Sequence, residues 1–477
     1  MSEKHQALPL LEDGRSLPLR SDSLPQGGDS IYGASAPQGY GSIELAASLA
    51  APQRRQSSMS RFIRLILSFS VTLLLVHCNI VVIKHLLRLR RQYGASPDYE
   101  AQISSNTEPG TPAHRCVEFA NWTTGDGDDS DDFSRVALTS FELPLSSDLL
   151  YLISNGTLSL GTLRISDRGS VGSDSALVDI SMTYHFDYEL EHTTVCLLNP
   201  EQGQYGVGFF NPGKLPDKRR IRTFFDVRVE LPPGSRAAPT FVQRFETKMP
   251  QFVHEVAHSQ DSVLFGNISL ITLNMPIIAQ SLVARHATLQ TLNARIEGSI
   301  TTFSRLNLLT LNAPIHVDVK MLNADDGDTT ELQMLTANAA IDSTVELIST
   351  SADGTGGAFM IHAVTINQPL SISTRSAPVD HVLNLTAQTN FAKASVVLHP
   401  TWEGAFHLET TPLFNTPTVE ARADVPDPAG RGRMRSVEFE DVGGGVVGGR
   451  VEWVSREESR RGLVNVSTTI MPLTLHL

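Results

Sequence analysis

The sequence predicts an all-β protein built as a solenoid-like stack of strands with flanking β caps, and three observations predict it. A phrase recurs: "LITLNMPI", "LQTLNARI" and "LLTLNAPI" begin at Leu270, Leu289 and Leu308, nineteen residues apart. Apolar and polar residues alternate through much of residues 133–477, the period of a strand with one buried face. No amphipathic helical pattern occurs beyond the long apolar run at 65–83.

Each phrase reads Leu-x-Thr-Leu-Asn-x-x-Ile. Extended as a strand, Leu270, Thr272 and Asn274 share one face, and Ile271 and Leu273 the other. A degraded copy, "LQMLTANAAI", starts at Leu332 after an acidic insertion at 323–328, and "VTINQPL" spans 364–370. A strand plus a fixed turn residue in every unit is the mark of stacked coils. Each coil bonds to the next at about 4.8 Å, and none buries its apolar row alone. Asn274, Asn293, Asn312 and Asn367 hold one position in the unit. They are expected at turns, where asparagine tolerates a left-handed backbone or caps the bend with its side chain. The repeat core is expected over about 265–400, with the strands at 133–250 and 400–477 extending or capping it. A β-sandwich with coincidental similarity between the phrases is the competing architecture. "LLYLISNGTLSLGTLRI" (149–165) is broken by Asn-Gly, a hairpin signal, and "GGGVVGG" (443–449) reads as a flexible turn.

With 477 residues the chain has room for roughly two or three domains. Its net charge of −13 is unevenly spread. Residues 1–64 hold seven Lys/Arg against six Asp/Glu, and 84–91 add four positive charges. Residues 92–477 hold 27 Lys/Arg against 45 Asp/Glu, net −18. Such an acidic surface repels phosphate backbones and excludes nucleic acid as a partner.

The run at 65–83, "LILSFSVTLLLVHCNIVVI", has no charged residue, Pro or Gly. At about 1.5 Å per residue it just spans a hydrocarbon core of about 30 Å. Arg54, Arg55, Arg61 and Arg64 precede it, and Lys84, Arg88, Arg90 and Arg91 follow. It begins too far from Met1 for a secretory signal, and no small-residue cleavage site follows. An uncleaved signal anchor in a lipid bilayer is therefore expected. Residues 1–60, rich in Ser, Pro, Gly and Gln, form a disordered cytosolic tail on this reading. Residues 61–91 form the transmembrane helix with basic flanks, 92–132 a stalk and acidic linker, and 133–477 a β-rich ectodomain. Four basic residues on each side leave the positive-inside rule undecided. The size of the folded part favours a cytosolic N-terminus and an extracellular or lumenal C-terminal domain. The reverse orientation, a cytosolic-facing membrane scaffold, stays open.

Cys78 lies in the apolar run, which leaves Cys116 and Cys196 beyond it. They form one disulfide if that region is oxidising, or two separate buried thiols if it is not. Five N-x-S/T sequons, at Asn121, Asn155, Asn267, Asn384 and Asn465, are glycosylation candidates on the same side of the run. The acidic stretch "GDGDDSDD" (125–132) lacks the glycine and terminal glutamate of a calcium loop and reads as a solvated turn.

"HEVAH" (254–258) matches H-E-x-x-H, in which two histidines on one helical face bind zinc and the glutamate polarises a water. His254, Glu255 and His258 would fill those roles. The surroundings disagree: Asp261 and Leu264 stand where an extended zinc motif needs Gly and His, and strand repeats start about ten residues on. The bland alternative is a polar loop or irregular strand leading into the first repeat. No phosphate loop or G-x-S-x-G elbow is present, and no cofactor or metal is expected.

Four stretches resemble a group of uncharacterised basidiomycete single-pass membrane proteins whose ectodomain is similar to adhesin-like β-solenoids. They are "SFELPLSSDLLYLISNGTLSLGTLRI" (140–165), "VCLLNPEQGQYGVGFFNPG" (195–213), "FETKMPQFVHEVAHSQDSVLFGNISLITLNMPI" (245–277) and "GGRVEWVSREESRRGLVNVSTTIMPLTLHL" (448–477). The resemblance covers most of residues 115–477. It implies an anchored β ectodomain with "HEVAH" in a connecting segment, and it implies no activity. The expectation is a non-enzymatic membrane protein active in surface interaction or adhesion, meeting wall polysaccharide or another protein. A zinc-dependent hydrolase is the alternative.

Overall fold

The computed structural model describes residues 116–125, 135–155, 159–211, 223–257, 262–323, 327–411, 416–422, 425–453 and 462–477. The predicted tail, transmembrane helix and most of the stalk lie outside them. Among the described residues no helix is long and apolar enough to cross a membrane.

The recurring phrase folds into a corner. The strand Val263–Ile271 ends at the buried Thr272, the chain bends through residues 273–276, and Ile277 opens a strand in a second sheet facing the first. That strand, Ile277–Gln290, crosses back to the first sheet through two register shifts. Leu289 then lies beside Leu270, one circuit and nineteen residues later. The strand Ile296–Leu309 repeats the circuit. Gly298, at φ 129°, lets adjacent coils close up; a Cβ there would meet the Ala279 carbonyl oxygen at 1.8 Å.

Eleven such coils stack among the described residues. In spatial order, the strands of the first sheet, sheet A, are Gln204–Phe210, Leu149–Asn155, Thr240–Lys248 and Val263–Ile271, then the second parts of Ile277–Gln290 and Ile296–Leu309. Thr330–Leu335, Ala358–Val364, Val382–Gln388, Gly462–Ser467 and Gly404–Glu409 complete it. Opposite them, sheet B runs Thr223–Glu230, Ser159–Ser166, Phe252–Val256, the first parts of the two long strands, Ile315–Asn323, Ile341–Ser349, Leu370–Ser376, Ala394–Val397, Leu473–His476 and Thr418–Glu420. All these pairings are parallel, the pairing of a solenoid and not of an antiparallel sandwich.

Inward side chains fill the space between the sheets, one row per register position. Ile277, Ile296, Ile315, Ile341 and Leu370 head successive sheet B strands at 0–1% exposure. Burying each contributes about 2 kcal/mol. Toward the N-terminal end the core turns aromatic, with Phe209, Phe225 and Phe252 packed ring against ring.

The corner carries a second row. Asn293 Nδ2 donates to Asn274 Oδ1 at 2.7 Å, Asn312 to Asn293 at 2.8 Å, Asn338 to Asn312 at 2.7 Å, and Asn367 to Asn338 at 2.7 Å. Gln251 starts the ladder by accepting from Asn274 at 3.3 Å. Beneath it the buried Thr272, Thr291, Thr310, Thr336 and Thr365 donate to corner carbonyls of the coil before. The strand alternation stops at the bend: Thr272 points in, whereas Asn274 is exposed and shares no face with it. None of the ladder asparagines has a positive φ. Their role is the side-chain bond between coils, not a left-handed turn.

Antiparallel strands close both ends. Thr194–Leu198 and Cys116–Phe119 extend sheet A beyond Gln204–Phe210, while Ser175–Tyr184 and Arg135–Pro144 extend sheet B. Cys116 and Cys196 are bonded there, Cα atoms 5.6 Å apart and 80 residues apart in sequence. A loop that long constrains the unfolded chain by about 4 kcal/mol on the chain-entropy estimate. At the far end Val446–Trp453 and Arg435–Gly443 close sheet A. Arg433 packs over the Trp453 ring and binds Glu403 and Asp427 at 3.3 and 3.0 Å, all three nearly buried. Hydrogen bonds from Arg433 hold the Asp427 carboxyl well below the ordinary carboxylate range.

Two expectations are corrected. The Asn155–Gly156 signal makes no hairpin: Leu149–Asn155 and Ser159–Ser166 lie in opposite sheets and bond to other coils, not to each other. Five of the seven residues of the glycine-rich 443–449 are strand, with the turn confined to Gly444 and Gly445, and Gly449 leaves room for the Phe406 ring. Replacing Asn312 by Ala is expected to cost about 1–2 kcal/mol in denaturant unfolding, since two amide bonds are lost at an exposed site. Asn312→Asp should cost more at pH 7, where it cannot donate to Asn293, than at pH 3. Unchanged stability in both would show the ladder to be incidental.

Candidate binding faces

The first three residues of the H-E-x-x-H run, 254–256, lie on a regular strand, not on a helix or in a connecting segment. His254 and Glu255 lie on Phe252–Val256 and point to opposite sides. His254 is fully buried, in register with Ile277 in the isoleucine row. Its Nδ1 lies 3.0 Å from the Phe252 carbonyl, which makes that nitrogen the donor. Its Nε2 accepts from Thr247 Oγ1 at 2.8 Å. Burial lowers its pKa to about 4, so the ring is neutral. Glu255 faces solvent and pairs with Arg164 at 3.0 Å. His258 lies outside the described residues. A strand cannot bring residues i and i+4 of this run to one metal as a helix does, and His254 has no ring nitrogen to spare. Among the described residues no cluster of three His, Cys, Asp or Glu is placed to hold a metal.

The outward rows are what the fold offers a partner. On sheet A one row reads Arg244, Asn267, His286, Arg305, Glu331, Met360, Asn384, Leu463. Its neighbour reads Glu246, Ser269, Thr288, Asn307, Gln333, His362, Thr386, Asn465. Between them lies an open cleft of about 460 Å³, bounded by the Arg305–Glu331 ion pair at one end and by Asn384 and Thr386 at the other.

On sheet B the rows read Glu297, His316, Asp342, Ser371, Ser395, Thr474 and Ser299, Asp318, Thr344, Ser373, Val397, His476. The first half is charged and internally paired, with His316–Asp342 at 3.3 Å and Lys320–Glu346 at 3.8 Å. The second half carries the hydroxyl row Ser371, Ser395 and Thr474, beside Ser373, Val397 and a His476 paired with Glu420.

Three sequon asparagines, Asn267, Asn384 and Asn465, project from sheet A. Asn121 is exposed near the N-terminal cap, and Asn155 stands half-buried at the end of its strand. No sequon asparagine projects from sheet B. The rows that meet in the cleft were invisible in the sequence, because Asn307, Gln333, Met360 and Asn384 come from four coils. Asn338 was legible in "LTANAAI", since Thr336 precedes it by two as Thr272 precedes Asn274.

No family model and no curated protein matches the chain. Among solved structures the chain is similar to one described as a "putative cell adhesion protein" from Clostridium sporogenes. The match is at 8% identity over 71% of this chain and 99% of that one, with a TM-score of 0.14. At that score the likeness carries no weight for fold or function.

The Thr247–His254 pair replaces an apolar pair elsewhere in the stack, Leu270 with Ile277. Thr247→Val should cost about 1–3 kcal/mol by stranding Nε2, and Thr247→Leu with His254→Ile should recover most of it. A histidine held below its ordinary value of about 6.5 binds protons more readily unfolded. Its stabilisation is therefore complete above pH 6.5 and is lost as pH falls toward 4. The double variant should lose part of that acid limb, up to about 3 kcal/mol. An unchanged pH profile would contradict the buried neutral ring.

Proposed function

We propose that the protein is a non-enzymatic, single-pass surface protein of adhesion-like role, anchored by residues 65–83 with the stack outside the cytosol. The outer face of sheet B engages an extended polysaccharide of the cell wall. One observation carries this reading: the partition of the two outward faces, with sequons confined to sheet A and the cap region and the hydroxyl row Ser371, Ser395 and Thr474 on sheet B. Glycans on sheet A would leave sheet B as the open face. Coils about 4.8 Å apart repeat Ser371, Ser395 and Thr474 at an interval close to the rise of one sugar in an extended β-linked chain. Each hydroxyl bond is worth about 1 kcal/mol, and a row of them on one polymer adds up without any strong single contact. The disulfide in the N-terminal cap supports an oxidising location. The membrane anchor and the resemblance to basidiomycete single-pass membrane proteins belong to the same proposal.

Co-sedimentation of the detergent-solubilised full chain with insoluble β-linked wall glucan tests it. Ser371→Arg with Ser395→Arg should weaken binding roughly tenfold or more, about 1.4 kcal/mol. Thr288→Arg on sheet A should not. Loss of binding in the sheet A variant alone, or none in the sheet B variant, contradicts the reading. Digestion of the C-terminal region only after the cytosolic face is opened would put a cytosolic scaffold in its place.

A further inference from the structure

We propose that Asn384 carries an N-linked glycan whose first N-acetylglucosamine lies in the sheet A cleft against Met360. The inference rests on the reading that this domain faces the lumen or the cell exterior. The strand period puts Asn384 and Thr386 of the sequon outward and sends Leu385, 1% exposed, into the core. Asn384 Oδ1 accepts the Leu463 backbone N–H at 3.2 Å, which fixes the carboxamide. Nδ2, the atom that would be glycosylated, has no partner among the described residues.

The surroundings suit a sugar. In register on either side of Asn384 stand Met360 and Leu463, 41% and 44% exposed, the two apolar members of the outward rows that flank the cleft. A pyranose lays its C–H face, and an acetamido group its methyl, on such a surface. The cleft of about 460 Å³ has room for an N-acetylhexosamine. Its walls carry the amides of Asn307 and Gln333 and the Thr386 hydroxyl, donors and acceptors for sugar hydroxyls and the acetamido group. The other two sheet A sequons lack this seat. Asn267 is flanked by Arg244 and His286, and the half-buried Asn465 by Thr386 and His407.

The donor is a lipid-pyrophosphate-linked oligosaccharide, used by a lumenal transferase before the strand folds. The Asn384 amide nitrogen bonds to the anomeric carbon of the first sugar. The carbon–oxygen bond to pyrophosphate breaks, the pyrophosphate leaves with the electron pair, and the amide gives up one proton. Covered in this way, Met360 is withdrawn from water.

The full chain, made in a eukaryotic secretory host, is compared with Thr386→Ala and with Asn384→Gln. Enzymatic glycan release in heavy-oxygen water marks occupied asparagines for peptide mapping, and dilute peroxide reports exposure as methionine sulfoxide. The expected result is a marked Asn384. Met360 should oxidise several-fold more slowly in the wild type than in either variant, and trimming the glycan to its first sugar should keep that protection. Met434, 77% exposed, should react alike in all forms. Occupied Asn121 or Asn267 with an empty Asn384 overturns the site while leaving the orientation standing. No occupied sequon overturns both. A glycan on Asn384 with unprotected Met360 overturns the seat.

Discussion

The fold depends on one constraint: each coil must lay its corner directly over the corner before it. A parallel sheet aligns backbones but leaves a one-coil slip cheap wherever apolar rows look alike. The asparagine ladder resists such a slip. Each carboxamide has one donor aimed at the coil before and one acceptor offered to the coil after, so a coil out of register loses both bonds. The buried threonine row adds a second lock, because each hydroxyl must find a corner carbonyl on the preceding coil. Leucine and isoleucine rows supply most of the stabilisation, and the polar corner supplies the register.

The ends use other means. The first ladder position is Gln251, and after Asn367 the equivalent corner place passes to Phe391. Beyond those points chain order and spatial order part. Residues 149–166 sit between 204–230 and 240–256, and residues 462–476 sit between 382–397 and 404–420. An inserted coil pairs on both sides with segments distant in sequence, so the stack cannot unwind from that end one coil at a time. Such pairing also closes long loops, which slows folding.

This divides what the sequence reveals from what it hides. The middle of the stack was legible because one circuit is one phrase, and Thr272, Asn274 and Ile277 keep their spacing in each copy. Toward the ends the phrase is gone: Ile153, not threonine, stands two residues before Asn155, and Pro412, not asparagine, two residues after Thr410. His254 misled for a physical reason. A polar residue in a buried row is unusual, and only the structure reveals Thr247 across the core to satisfy it. The outward rows form by stacking, so their members lie a whole coil apart and leave no local pattern. That holds for the cleft around Asn384 and for the hydroxyl row of sheet B.

The most direct measurement removes one circuit. Deleting residues 293–311 joins Leu292 to Asn312 and preserves the phrase across the junction. If nineteen residues make one coil, the shortened protein folds cooperatively with its disulfide intact. Its structure is then one coil, about 4.8 Å, shorter. Asn312 donates to Asn274 in place of Asn293. A ten-residue deletion over 293–302 leaves half a circuit and should not fold. If the nineteen-residue deletion is as disruptive as that one, the phrase does not mark one coil of the stack.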